Sequence, residues 1–197
     1  MNFKEIIQNP GFRFIVKFLV IFLGLNFFHD FYIGITAPGG LYIQFLEENI
    51  NYIGWIRHSI LWGSMHLSGL FGYESYIDGP FHLRSVTGPG VQMVYSCIGL
   101  GIMSFWTGFV LAHELKWKKK LFWTLLGLLV IWIINCFRVS IILAAAVNRW
   151  NASKYLDHHD IFNIIAYIFV FILIVLFVRK EGLHKTTDES SEAAAEI

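Results

Sequence analysis

The chain has 197 residues, 56% of them hydrophobic and 17% aromatic, but only 15% charged, with a formal net charge of +1. This length suits one domain, and the composition argues against a soluble one. The basic residues are too few and too clustered at the ends of apolar runs to give any footing for nucleic-acid binding.

Four stretches lack Asp, Glu, Lys and Arg altogether: residues 18–28, 98–112, 121–134 and 161–178. Each reaches the ~20 residues needed to cross ~30 Å of hydrocarbon once its flanks are counted. The first predicted span is 12–33, preceded by Lys4 and with Arg13 and Lys17 at its start. Its basic start resembles a signal peptide, but no small-x-small cleavage pattern follows near "YIGITAPGG", so it reads as an uncleaved signal anchor.

Residues 34–96 then form an insertion with two helical candidates, 39–50 and 52–71. The second mixes Trp55, Ile56, Ile60, Leu61, Trp62, Leu67 and Leu70 with Arg57, His58 and His66. That mixture suits a helix lying in the membrane interface. Half of a re-entrant hairpin, or a full crossing with Arg57 snorkelling, are the alternatives. After Gly72, two short extended runs alternate with Gly-Pro and Thr-Gly-Pro-Gly turns. The alternation of Val91, Met93 and Tyr95 predicts a strand that delivers Cys97 directly to a helix start.

The second span is 97–114. A turn carrying Lys116, Lys118, Lys119 and Lys120 leads to the third span, 120–148, and the fourth is 159–179, followed by Arg179, Lys180 and Lys185. The positive-inside rule places all three basic clusters in the cytoplasm. Both termini are then inside and the insertion is outside. The expected fold is an all-α polytopic membrane protein with about four transmembrane helices. Its outward-facing insertion contains interfacial helices and short extended segments. Residues 1–180 make a single integral membrane domain, and 181–197, polar and acidic, a disordered cytoplasmic tail.

Helix rise then sets depths. At ~1.5 Å per residue, Cys97 lies about 24 Å from His113, Arg138 about 27 Å from Lys120, and His159 about 30 Å from Arg179. Three reactive side chains on three spans therefore fall near one outer interface. Arg138, alone, reads as a headgroup anchor. Asn135 at i−3 shares its helical face, however, and a polar stripe on an apolar helix points to a water-accessible cleft. Cys136 reads as a small packed group, with a Cys97–Cys136 disulfide as the alternative.

In "YLDHHDIFN" the bland reading is a polar loop whose Asp157 caps the last helix. A metal site of His158, His159, an aspartate and Cys97 lacks paired ligand spacing, so neither metal nor cofactor is expected. The catalytic reading is acyl transfer. A thiol is only partly ionised at neutral pH, a neighbouring histidine serves as base and then acid, and an arginine balances an oxyanion.

Together, "SCIG", "NCFR" and "HDIFN" resemble the motifs of the exosortase/archaeosortase family of integral membrane transpeptidases, over roughly residues 60–179 and in the same order. The resemblance implies Cys97 as nucleophile, Arg138 as the family arginine and His159 as the family histidine, with His158 as the competing choice. Ile98 stands where a small residue often follows the cysteine, and Asn163 where the histidine motif commonly has glycine. The implied activity is cleavage of a C-terminal sorting signal on exported proteins: a short motif, a transmembrane helix and a basic tail. It would run through a thioacyl intermediate at the outer face of a prokaryotic cytoplasmic (inner) membrane, with membrane lipid around it and a lipid, a glycan or water as acceptor. The rival readings are a non-catalytic membrane scaffold, with Cys97 as packing, and a small-solute or metal transporter.

Overall fold

Helix α1, Pro10–Thr36, starts where Asn9 caps it, its side chain accepting from the backbone N–H groups of Gly11 at 2.9 Å and Phe12 at 3.3 Å, with proline at the first helical position. It ends where Ala37 turns extended. A short helix, α2 over Gln44–Ile50, and a longer one, α3 over Tyr52–Leu70, follow. Three strands then form an antiparallel sheet in the order β1 (Ser75–Asp78), β2 (His82–Ser85), β3 (Gly90–Gln92). A 3₁₀ turn over Tyr95–Cys97 leads to α4, Leu100–Ala112, and then α5, Trp117–Val147. The computed structural model describes residues 9–37, 41–150 and 164–181. The chain divides into two units, Met1–His158 and His159–Ile197, and residues 164–181 of the second are helical.

Two of the described helices, α1 and α5, are long and apolar enough to cross a membrane. At 27 and 31 residues they extend to about 40 and 46 Å. Their polarity is inverted relative to a water-soluble bundle. On α5 the apolar residues Phe122, Leu125, Leu129, Ile133, Phe137 and Ile141 face outward, while Asn135, Arg138 and Ser140 are buried. An apolar exterior around polar interior groups is the pattern lipid favours, because the only polar partners lie inside.

Ordered contacts set the helix directions. Phe14 meets His113, Phe18 and Phe22 meet Phe105, and Phe22 lies against Gly108, so α1 and α4 run antiparallel. The Lys120 ammonium donates to the Leu111 carbonyl, the Trp106 indole to the Trp123 carbonyl, and the Asn135 amide to the Ile98 carbonyl. That sequence of pairs makes α4 and α5 antiparallel too. At the α4–α5 turn, Glu114 lies 3.2 Å from the Lys17 ammonium and 3.9 Å from the Arg13 guanidinium. The first two basic clusters thus share one end of the helices.

Helix α3 accompanies α5 in the same direction. Ser59 accepts from the Trp132 indole at 3.0 Å, Ile60 meets Cys136, and the Ser140 hydroxyl donates to the Ser64 carbonyl at 3.0 Å. Its start is tied to α1, where the Tyr52 hydroxyl and His29 Nδ1 are 2.7 Å apart. Burial pushes the Tyr52 phenol up to about 12, with Tyr32 adding to the shift, so it stays protonated at neutral pH.

The described helices differ in extent from the expected spans. The helix that covers the expected span 12–33 is Pro10–Thr36, and the one that covers 120–148 is Trp117–Val147. The span 97–114 shrinks to a helix of 13 residues, Leu100–Ala112, since the 3₁₀ turn and the left-handed Gly99 precede it. Two rather than four described helices meet the length and apolarity needed to cross a membrane. The expected helix 39–50 is described as helical from Gln44. In the described segment after Gly72 there are three strands, not two extended runs. Strand β3 itself ends at Gln92, with one further bond of the same ladder from the Met93 N–H to the Phe81 carbonyl at 2.7 Å. The start of the span 159–179 and the tail from 182 onward lie outside the described residues.

Among the described glycines the closest approach is at Gly127, where the fully buried Trp106 indole lies so near α5 that any Cβ would overlap it. Gly127→Ala is expected to lower the melting temperature in detergent, with about 1–3 kcal/mol of stability lost to overpacking. Adding Trp106→Ala removes the clash, so Gly127→Ala should cost much less in that background. An unchanged melting temperature in the single variant would contradict this packing.

Candidate functional site

At the end of the helices remote from the basic turn, Cys97 closes the 3₁₀ turn. Its N–H bonds the Val94 carbonyl at 2.9 Å, and the next N–H, from Ile98, bonds Tyr95 at 3.2 Å. Gly99 then adopts φ of +83° before α4 begins. That left-handed step requires glycine, and space requires it as well, because a Cβ there would sit 2.9 Å from Asn135 Nδ2. The "C-I-G" run is therefore a backbone device: it changes the chain direction between a sheet segment and a helix and leaves the thiol at the bend.

The "N-C-F-R" run on α5 supplies the other half. Asn135 Nδ2 donates to the Ile98 carbonyl at 3.1 Å, fixing the peptide that follows the cysteine. Three residues on, and so on the same helical face, Arg138 Nη2 donates to Cys97 Sγ at 3.8 Å, a long contact suited to a large sulfur. Cys97, Asn135 and Arg138 are each less than a tenth exposed. The intervening Cys136 faces α3, where its Sγ lies 3.7 Å from the Ile60 carbonyl. Both cysteines are free, so the disulfide alternative is set aside. Ile98 is fully buried in the apolar core; a large side chain at that position is housed without disturbing the turn.

Of the three expected site residues, the structure brings Cys97 and Arg138 together, while His159, with its neighbour His158, lies outside the described residues. Among the described residues no cluster of His, Cys, Asp and Glu could hold a metal ion.

One charged neighbour of the turn read from the sequence only as an interfacial or snorkelling residue. Arg57 on α3 is 4% exposed. Its guanidinium carbon lies 3.8 Å from the centroid of the Phe81 ring and 5.1 Å from that of Tyr95, the first residue of the Cys97 turn. A legible signal existed: Ile53, Arg57, Ile60, Leu61, Ser64 and Ser68 recur at helical spacing and form the buried face of α3.

The sequence model of the transmembrane exosortases matches residues 8–178. The chain belongs to the transmembrane exosortase family. No curated protein and no solved structure matches it. Family membership and the apolar helices make it a membrane protein with exosortase-like enzyme character. In this exosortase the cysteine and arginine motifs pack onto each other through Asn135.

The Asn135–Gly99 packing gives a double-variant test. Asn135→Ala leaves the buried Ile98 carbonyl unpaired and should cost about 1–3 kcal/mol. Gly99→Ala should cost at least as much, by strain and by collision with Asn135. Part of that collision disappears in the Asn135→Ala background, so the two costs should be less than additive in thermal melts. Strict additivity would remove Asn135 from contact with the turn.

Proposed function

We propose that the chain is a membrane cysteine peptidase or transpeptidase that cleaves a C-terminal sorting signal from exported proteins. The observation that carries this reading is the Arg138 guanidinium on the Cys97 sulfur, at the end of α4 and α5 opposite the lysine-rich turn. With that turn in the cytoplasm, the thiol faces the outer side of a prokaryotic cytoplasmic membrane. The proposal includes four spans, the last over 159–179, and an outer insertion over 34–96.

In this scheme Cys97 gives its proton to His159, and the sulfur attacks a peptide carbonyl carbon of the substrate. The carbonyl oxygen becomes an oxyanion, balanced by Arg138 and by the unpaired N–H groups that open α4. Collapse of the tetrahedral species breaks the C–N bond, and His159 returns the proton to the departing amine. The acyl group is left on sulfur as a thioester. A second nucleophile, from water, a lipid or a glycan, attacks that carbonyl and releases the thiol. Substrates would carry a short motif, a transmembrane helix and a basic tail, with the helix alongside the bundle.

Burial of Cys97 in the core cluster favours the rival reading, a scaffold in which the thiol is packing. Processing of a tripartite-tail substrate in cells decides between them. Cys97→Ala should abolish it. Arg138→Lys, which keeps charge but loses the planar fork, should slow it by about 100-fold, and His159→Ala by at least about 100-fold. Normal processing by Cys97→Ala would sink the enzyme reading. Loss in His158→Ala with activity retained in His159→Ala would move the base to His158.

A further inference from the structure

Arg57 carries a charge that the packing around it leaves unanswered. Its Nε and Nη1 are buried with no hydrogen-bond partner among the described residues, and no described carboxylate makes an ion pair with it; the ion pairs among those residues join Arg13 and Lys17 to Glu114 and Arg84 to Asp78. The Phe81 and Tyr95 rings compensate the guanidinium electrostatically, but aromatic faces accept nothing from its N–H edges. A buried cation in this state is unfavourable until an anion reaches it. Protein interiors retain such a group where a ligand completes it.

The surroundings specify the ligand. With ring faces over the guanidinium, its open N–H groups point outward in the plane, and a flat carboxylate is the acceptor that matches that plane. One carboxylate also cancels one guanidinium, whereas a phosphate dianion would leave an excess charge in the same buried slot. Position specifies the source. Tyr95 begins the turn that Cys97 ends, so an anion on Arg57 lies beside a side chain of the nucleophile's own turn. Arg138 is already engaged with the sulfur.

We propose that Arg57, clamped by Phe81 and Tyr95, is a carboxylate-binding slot that anchors the substrate beside Cys97. This rests on the peptidase reading for the identity of the substrate, but the slot itself can be tested without turnover. The experiment uses the detergent-solubilised full chain with Cys136→Ser, leaving Cys97 as the one thiol. Bromoacetyl derivatives of glycine, β-alanine and 4-aminobutyrate carry one electrophile and a carboxylate at increasing distance, and each is compared with its uncharged primary amide. At one chain length the carboxylate should alkylate Cys97 about tenfold faster than the amide, the effect of one charge-assisted pair. Arg57→Met and Arg57→Gln should erase that advantage while the amide rate stays the same. Acetate should suppress the advantage in the wild-type chain where chloride at equal ionic strength does not, a reading that stands even if a variant fails to fold. An advantage that persists in either folded variant, its absence at every length, or equal suppression by chloride overturns the slot. If labelling follows the expected pattern while Cys97→Ala still processes substrate, the peptidase reading fails and the slot survives.

Discussion

A guanidinium on an apolar helix has to find partners inside the protein, and Arg138 organises the end of the molecule around that need. Lipid offers no acceptor, and burial of an unpaired charge is among the largest penalties a membrane helix can carry. The Cys97 sulfur supplies one partner. To deliver it, the chain must stop its sheet segment, make a 3₁₀ turn and take a left-handed step at Gly99 before α4 can start. Asn135 then pins the turn from the same helical face that carries the arginine. The thiol, the bend and the polar stripe are one arrangement.

The rest of the fold keeps that arrangement at a defined height. Helices α1, α4 and α5 alternate in direction, with Glu114 joining Arg13 and Lys17 at the basic end and the Trp106–Gly127 contact locking α4 to α5 midway. Because helix rise is nearly constant, the lock places Cys97 and Arg138 together at the other end. Helix α3 runs beside α5 and carries Arg57 to Tyr95, the first residue of the same turn. The apolar exterior of α1 and α5 and the polar interior are what lipid, rather than water, would select.

Membership of the transmembrane exosortase family and the Cys97–Arg138 pair bear on function in different ways. The family match covers residues 8–178 and carries the enzyme class. The geometry adds a contact within this chain, the Arg138 guanidinium on the Cys97 sulfur at the turn that precedes α4. The buried state of the thiol is compatible with both a site closed until substrate enters and a packed scaffold, which is why reactivity and processing, rather than burial, separate the two.

Much of this was legible in the chain itself. Charge-free runs bounded by basic clusters identified α1 and α5 because transfer to lipid depends on composition, a one-dimensional property. The i,i+3 spacing of Asn135 and Arg138 followed from helix geometry, and constant rise put Cys97 and Arg138 at one level. What tertiary structure alone decided was contact. The short strands, the 3₁₀ turn at Cys97 and the late start of α4 depend on hydrogen bonds between distant residues, such as Met93 to Phe81 and Asn135 to Ile98, which no local pattern encodes. Arg57 makes the same point. Its place on a periodic face could be read in sequence, but its stacking on two aromatic rings with N–H edges unanswered exists only where α3, the β1–β2 turn and the Cys97 turn converge.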